Sequence, residues 1–507
     1  MRICKFYELT MKKFKTIHYS IIPIMFCLGA IFAFVSLPFF GIFELSTVFL
    51  LLFVLASFLL SILFKGFLRL TFSFLLGAAL GFIRGQAYHI STNTITTFQK
   101  QELVAEASID SDPIIKNGTL RFESTKLILI NKSLEVSCPS YFSLSLPDIE
   151  LTKSDKVLIK GKSSGGFGKY CTFFNKPEIL KISKPDPPDL FLKFRDWFSS
   201  IFIKIIDRVE SDASNASALG LGYLTGQKRY MSDVFNESLR RAGLSHIVVA
   251  SGFHLAIVVS FARKYFSKIS RFACLLGAIL LVFIFVSVAG LGASMLRAAV
   301  LTLFSLLAWY FGRKFHPMRA ILYVASLSLF VNPGYITDLA WQLSFASYLG
   351  IIFIAPLFLD YFYGNDTPGF IMNTCLQPIS AQLLCLPISI YNFGAFSVVG
   401  LISNILIPPS IPIAMLLSLL CVFFSWMPLV SDILAFLTKS LLELHVHTID
   451  FLSKLSWASK EITSGDSRIL LLYLVPAVIF LILKLATRHS FHPYRPTPLA
   501  RAKLEKS

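Results

Sequence analysis

The chain has 507 residues, 55% of them hydrophobic and only 15% charged, with a mean hydropathy of +0.69. Soluble domains carry about 25% charged residues, so this composition excludes an ordinary water-soluble protein and indicates a membrane protein. Its net charge of +18 acquires meaning only from location, because cytoplasmic loops of membrane proteins collect Lys and Arg.

The N-terminus, MRICKFYELTMKKFK, is basic, and an apolar run over residues 21–40 follows it. No small-x-small cleavage site ends that run, so it reads as a first transmembrane helix with its basic end inside. A second span covers residues 45–64. Lys65 and Arg69 mark the return to the cytoplasm, and a third span ends near Arg84. Residues 1–89 are therefore an N-terminal group of three membrane helices, which places the next segment outside.

Residues 90–189 contain no run long enough to span. Short β-type stretches (LVAEASI, GTLRFES, KLILIN, DKVLIKGK) alternate with turn signals, as in a small extracytoplasmic β-barrel or sandwich. Residues 153–184 hold eight Lys against Asp155 and Glu178. This basic edge, with Lys153, Lys156, Lys160 and Lys162, either follows a phosphate backbone or is simply solvated. Cys138 and Cys171 lie in the same segment and either pair in an oxidising compartment or stay free thiols. The other cysteines show no disulfide or zinc spacing, so no metal is expected. After the stiff linker KPDPPD, residues 190–212 read as an interfacial amphipathic helix, with Lys193, Arg195, Lys204 and Arg208 off its apolar face.

Residues 213–486 form a second membrane region. Spans are expected over 246–262, 272–289, 290–311, a short run to 331, and then 338–359, 371–390, 398–424 and 469–485. RKYFSKISR and RKFHPMR mark cytoplasmic turns. Residues 487–507 are a basic cytoplasmic tail, so both termini lie inside. The fold class is a polytopic α-helical membrane protein of about ten spans with an inserted small β domain. Pro387, Gly394, Pro408, Pro409 and Pro412 interrupt the later helices, and broken helices at membrane depth normally line a cavity or are buried in protein.

Polar residues within apolar helices are costly and therefore informative. They include His246, Ser251 and His254, Arg297, Asp338, Gln342, Gln377, Gln382 and Asn404. His254 follows His246 by eight residues, which puts both on roughly one helical face. Ser251 and His254 lack a G-x-S-x-G elbow and an orienting acid, and HVHTID (residues 445–450) departs from metal-binding spacing. No catalytic residue is expected.

LGYLTGQKRYMSDVFNESLRRAGLSHIVVASGFHLAIV resembles the signature region of the ComEC-type competence family. LRAAVL, DLAWQLSFASYLGI and PISAQLLCLPISIYNFGAFSVVGLISNILIPP resemble that family's later blocks, in order, over residues 215–485. The resemblance implies an inner-membrane channel that passes single-stranded DNA into the cytoplasm during transformation. It gives the β segment the place of an OB-like domain. Carried over by position, the signature residues are Gly243, His246, Ser251, Gly252, His254, Arg297, Gln342, Ser344 and Asn404. Lys228, Arg229, Arg240 and Arg241, just ahead of the signature, either guide DNA or bind lipid headgroups. The expected partners are single-stranded DNA, membrane lipids, a separate nuclease, a DNA-receptor protein and a cytoplasmic motor, with a homo-oligomer left open. No cofactor is implied. The metallo-hydrolase domain that many family members carry is expected to have no counterpart, because the chain ends soon after its last span. Rival readings are a small-molecule or peptide transporter, with Asp338 as coupling acid, and an envelope-assembly scaffold.

Overall fold

The computed structural model describes residues 75–84, 101–116, 119–124, 127–130, 134–136, 139–145, 151–167, 170–184, 190–207, 214–248, 252–289, 293–363, 370–461 and 478–479. The expected spans over 21–40 and 45–64, Ser251, Cys138 and the basic tail lie outside these residues. So does the span over 469–485, apart from residues 478–479. A helix α1, Leu75–Arg84, is described from the N-terminal group. Nine strands follow: β1 (Glu102–Ser108), β2 (Ile114–Lys116), β3 (Thr119–Ser124), β4 (Leu127–Leu129), β5 (Leu134–Val136), β6 (Ser140–Ser145), β7 (Lys156–Phe167), β8 (Tyr170–Asn175) and β9 (Glu178–Ser183).

The strands form because the sequence alternates. Leu103, Ala105 and Ala107 of β1 point inward, as do Leu120 and Phe122 of β3 and Phe142 and Leu144 of β6. β1 and β2 pair antiparallel with β4 and β3, which pair in turn with β5 and β6. β6 runs parallel to β8, β7 pairs antiparallel with β8 and β9, and β7 pairs with β1. The nine strands thus form one sheet in the order β2-β3-β6-β8-β7-β1-β4-β5, with β9 pairing β7 beside that path. Its core stacks Phe122 on Phe142 and Phe142 on Phe174, with centroids 4.9 and 5.0 Å apart.

Helix α2 (Leu190–Ile206) follows the strands and buries Leu192, Phe198, Phe202 and Ile205. It also buries Arg195, which is 1% exposed, in contrast to the outward position its amphipathic pattern suggests. The cause is Asp112, from the turn between β1 and β2. Arg195 Nη1 donates to Asp112 Oδ2 at 2.9 Å, and Nη2 lies 2.8 Å from Oδ1. A buried guanidinium is tolerated here because its countercharge comes from the strand region.

The centre of the helical half is α3 (Asn215–Thr225). Ser214 caps it by accepting from Ser217 N–H, and the Ser214 and Ser217 hydroxyls donate to Asp207 at 2.8 and 2.9 Å. Small residues let other helices approach from every side. A Cβ on Gly220 would lie 2.8 Å from the Phe202 ring and 2.9 Å from Leu442, and one on Gly222 would lie 2.7 Å from Val248. The helices around and beyond it are α4 (Asp233–Arg241), α5 (Ser245–Val248), α6 (Gly252–Phe266), α7 (Arg271–Ala289), α8 (Ala293–Tyr310) and α9 (Pro317–Val331). They continue with α10 (Leu339–Tyr363), α11 (Phe370–Phe393), α12 (Gly400–Leu406), α13 (Ile411–Phe423) and α14 (Pro428–Lys454). A short strand pair, β10 (Ala395–Ser397) with β11 (Ser459–Glu461), ties the end of α11 to the end of α14.

Three described segments are long and apolar enough to cross a membrane: Arg271–Ala289, Leu339–Leu359 and Gly400–Phe423. The last is interrupted by a 3₁₀ turn at Pro408–Ser410. Leu276, Leu280 and Phe283 form an exposed stripe on α7, and Ile413, Leu416 and Phe423 form one on α13, as lipid-facing helix surfaces do. The protein is a membrane protein by these helices and its composition. α10 and α11 pack along their length, and Gly350 lies directly against the Ser380 carbonyl. Asp338 caps α10, accepting from Trp341 N–H at 3.0 Å, while the Trp341 ring N–H donates to Ser328 at 2.9 Å.

Two outcomes follow from this packing. Gly350→Ala pushes a methyl into a backbone carbonyl that cannot rotate away, and should destabilise the protein by about 1–3 kcal/mol. A lower Tm of the purified protein in detergent would register it, and an unchanged Tm would contradict the close approach. Asp112→Ala strands Arg195 next to Asp196 alone and should cost on the order of 3 kcal/mol at the junction. Faster proteolysis between the strand region and α2, with the strand fragment itself persisting, is the expected readout.

Candidate functional site

The first group of polar residues forms where α4 ends. Ser232 starts that helix by accepting from Phe235 N–H, and Gly243 ends it with φ +72°, the left-handed conformation glycine adopts without strain. The terminal carbonyls of a helix need donors. Here Ser397 Oγ donates to Arg241 O at 2.7 Å and Ser403 Oγ donates to Ala242 O at 2.6 Å. To do so, the segment after α11 must lie against the turn, and a Cβ on Gly243 would meet Gly400 Cα at 2.8 Å. The contact sets His246, on the single turn α5, beside Asn404. His246 hydrogen-bonds to the Asn404 side chain and the Gly243 backbone, and Asn404 Nδ2 donates to Gly400 O at 2.6 Å. Gly243 and His246 thus form one cluster with Asn404, which is distant in sequence, and in it His246 is exposed.

A second cluster joins α6, α8, α10 and α11. Gly252 opens α6, and a Cβ there would lie 3.2 Å from Ala298 Cβ and 3.6 Å from Arg297 Nη2. Arg297 is 9% exposed, with its guanidinium 5.4 Å from the centre of the Tyr348 ring. It interacts electrostatically with Cys385, whose thiol donates to Leu343 O at 3.4 Å. One turn before Arg297, the Ser294 and Ser344 hydroxyls are 3.0 Å apart. Ser344 therefore links α8 to α10.

His254 is fully buried in a third group that sequence reasoning only partly anticipates. Its ring lies 5.9 Å from that of Phe253 and 6.3 Å from that of Tyr223. The Tyr223 hydroxyl is 3.3 Å from His445 Nδ1, and His445 Nε2 is 2.7 Å from Ser410 Oγ. Tyr223, His445 and Ser410 were not among the expected site residues. A usable signal exists for His445, which shares the buried stripe Thr438, Leu442, Ile449, Leu452 of α14 at helical spacing. Pairing with Tyr223 and Ser410 is a long-range matter and leaves no sequence mark. His246 hydrogen-bonds to Asn404 and also lies near enough to His254 to act on it electrostatically.

The remaining expected residues have local partners. Gln342 Nε2 donates to Ile336 O at 2.8 Å, bracing the turn before α10. Arg229 contacts Asp196 at 3.1 Å and lies over the Tyr230 ring at 4.7 Å, and Arg240 pairs with Glu237 at 2.6 Å. Burial lowers the Lys228 ammonium pKa below its usual range. Arg241 forms no ion pair among the described residues, and neither do Lys153 and Lys162. On the sheet, Lys156 and Lys160 sit 3.5 and 3.7 Å from Glu106 and Glu102 of the neighbouring strand. Such half-exposed pairs contribute little to stability, so these lysines can exchange their carboxylates for another anion. The side chain of Cys171, like Cys138, lies outside what is described. Among the described residues no three His, Cys, Asp or Glu side chains gather as metal ligands do.

Residues 223–487 match the family model described as Competence protein. That stretch contains all three polar clusters, and the nine-stranded sheet precedes it. Over 243 residues the chain is 25% identical to ComE operon protein 3 from Bacillus subtilis (strain 168), a match covering 44% of this chain and 30% of that protein. The chain thus spans less than a third of that relative's length. No solved structure matches the chain. With just over half of its residues matched to the family, and with that relative beside it, the chain belongs to the competence protein family, as a ComEC-type member.

Proposed function

We propose that this protein is a bacterial inner-membrane conduit that passes single-stranded DNA into the cytoplasm during natural transformation. The observation that carries this reading is the sign of the charge inside the helical half. Arg297 is buried between apolar helices, beside Tyr348 and one turn from the Ser294–Ser344 hydroxyl pair, whereas Asp338 is the one buried carboxylate among the described residues of that half. Asp338 is occupied in capping α10. A polyanion needs donors and scattered cations along its path, without acids to repel it and without sites that hold it too long. A proton- or ion-coupled carrier needs a titrating acid instead, and here the acid serves the backbone.

The DNA strand would meet the β domain first. Its nine strands form one sheet with a single parallel pair, and the resemblance gives this segment the place of an OB-type domain, a fold that handles single strands on a basic face. Lys153, Lys156, Lys160 and Lys162, with Arg241 at the helical mouth, would guide the phosphates. In this reading the β domain is residues 90–189, the interfacial helix 190–212 and the channel domain 213–486. The chain crosses the membrane about ten times with both termini cytoplasmic. Gly243, His246, Ser251, Gly252, His254, Arg297, Gln342, Ser344 and Asn404 line or brace the path. A receptor protein, a nuclease and a cytoplasmic motor would complete the machinery.

Entry of labelled DNA into the cytoplasm tests the proposal. A strain lacking the gene should collect DNA outside the inner membrane and admit none, and restoring the gene should restore entry. Arg297→Ala combined with His254→Ala should block entry at normal protein levels. Unchanged entry on deletion would remove the proposal. Asp338→Asn should keep entry within about twofold, since Asn caps a helix as well as Asp does. Its failure at normal protein levels would favour a coupled carrier.

A further inference from the structure

We infer that Arg297 is the seat for one phosphodiester monoanion of the passing strand, at the first turn of α6. The inference rests on the conduit reading and adds the group that touches the substrate. Arg297 is 9% exposed, its Nε is buried with no hydrogen-bond partner, and it forms no ion pair among the described residues. An unpaired charge in such surroundings is expensive, and the face of the Tyr348 ring at 5.4 Å offsets only part of that cost.

The guanidinium also stands at an unfavourable place for a cation. Nη2 is 3.6 Å from where a Gly252 Cβ would be, beside the N-terminus of the 15-residue helix α6. That end of a helix carries partial positive charge, so two positive features meet with no acid between them. A bound anion resolves both at once. A phosphate diester suits the position, since a guanidinium presents its N–H groups as a planar fork to two phosphate oxygens, and helix N–H groups accept the same ligand. The absent Cβ of Gly252 keeps that approach open. One such seat, flanked by the Ser294–Ser344 hydroxyl pair, holds a phosphate without trapping a strand that has many.

Cys385 provides a reporter, because it lies within the electrostatic reach of Arg297. The full-length protein, with its other cysteines replaced by serine, would be purified in detergent. It would then be treated with an anionic (sulfonatoethyl) or a cationic (trimethylammonioethyl) methanethiosulfonate. The ratio of the two rates cancels the thiol's own reactivity and reads the local potential. The anionic reagent should be favoured by about tenfold or more. Arg297→Gln should bring the ratio close to one, and Arg297→Lys, which keeps the charge, should preserve most of it. Oligothymidylate, and inorganic phosphate at higher concentration, should slow the anionic reagent in the parent and not in Arg297→Gln.

A ratio near one in the parent, no reaction with either reagent, or no protection by oligothymidylate would each overturn the seat. Protection by phosphatidylglycerol alone would make it a lipid-headgroup site and likewise overturn the proposal. The two readings fail separately. A flat ratio in a protein whose deletion still blocks DNA entry removes the seat and leaves the conduit. A charge-dependent ratio in a protein whose deletion leaves entry unchanged removes the conduit and leaves an anion seat.

Discussion

Helix Asn215–Thr225 is buried on every side, and the rest of the helical half is arranged around that fact. An α-helix surrounded by other helices must offer small residues where they cross, because interaxial distances shrink only as side chains do. Gly220 and Gly222 provide those places, against Phe202 and Leu442 on one side and Val248 on another. Its first turn is closed by Ser214, Ser217 and Asp207. Tyr223 then extends from this central helix to His445, so the element that organises the apolar packing also anchors one of the polar groups.

The same constraint explains why polar residues here come in small, separate groups. In an apolar medium every donor and acceptor must find a partner inside the protein or face a wet space. Ser397 and Ser403 satisfy the carbonyls that end α4, Asp338 satisfies an N–H that begins α10, and Asn404 supports the exposed His246. These are closed arrangements, each with its partners in place. Arg297 differs because it has charge, burial and no countercharge among the described residues. That asymmetry sets Arg297 apart from the residues whose partners are in place.

The strand region is tied to the helices by a charged contact. Arg195 of α2 reaches Asp112 between the first two strands, and Asp196 gathers Arg229 and Gln227 beside it. A charge network fixes orientation more strictly than an apolar contact of equal area, since its geometry admits few alternatives.

Some of this was readable from the sequence. Composition determined the solvent, alternation determined that strands follow residue 100, and helical spacing located the apolar segments such as Arg271–Ala289. The motif around Gly243 and His254 identified the family. These are properties of neighbouring residues and of the medium they prefer, and a sequence records both directly. Only the tertiary structure decided which polar residues meet. It placed Gly243 against Gly400 and His246 beside Asn404, turned Arg195 inward to Asp112, gave Arg229 and Arg240 local carboxylates, and joined His445 to Tyr223 and Ser410. Each of these depends on segments distant in the chain approaching within hydrogen-bonding or contact distance. Local periodicity says which face of a helix is buried and leaves open what it is buried against.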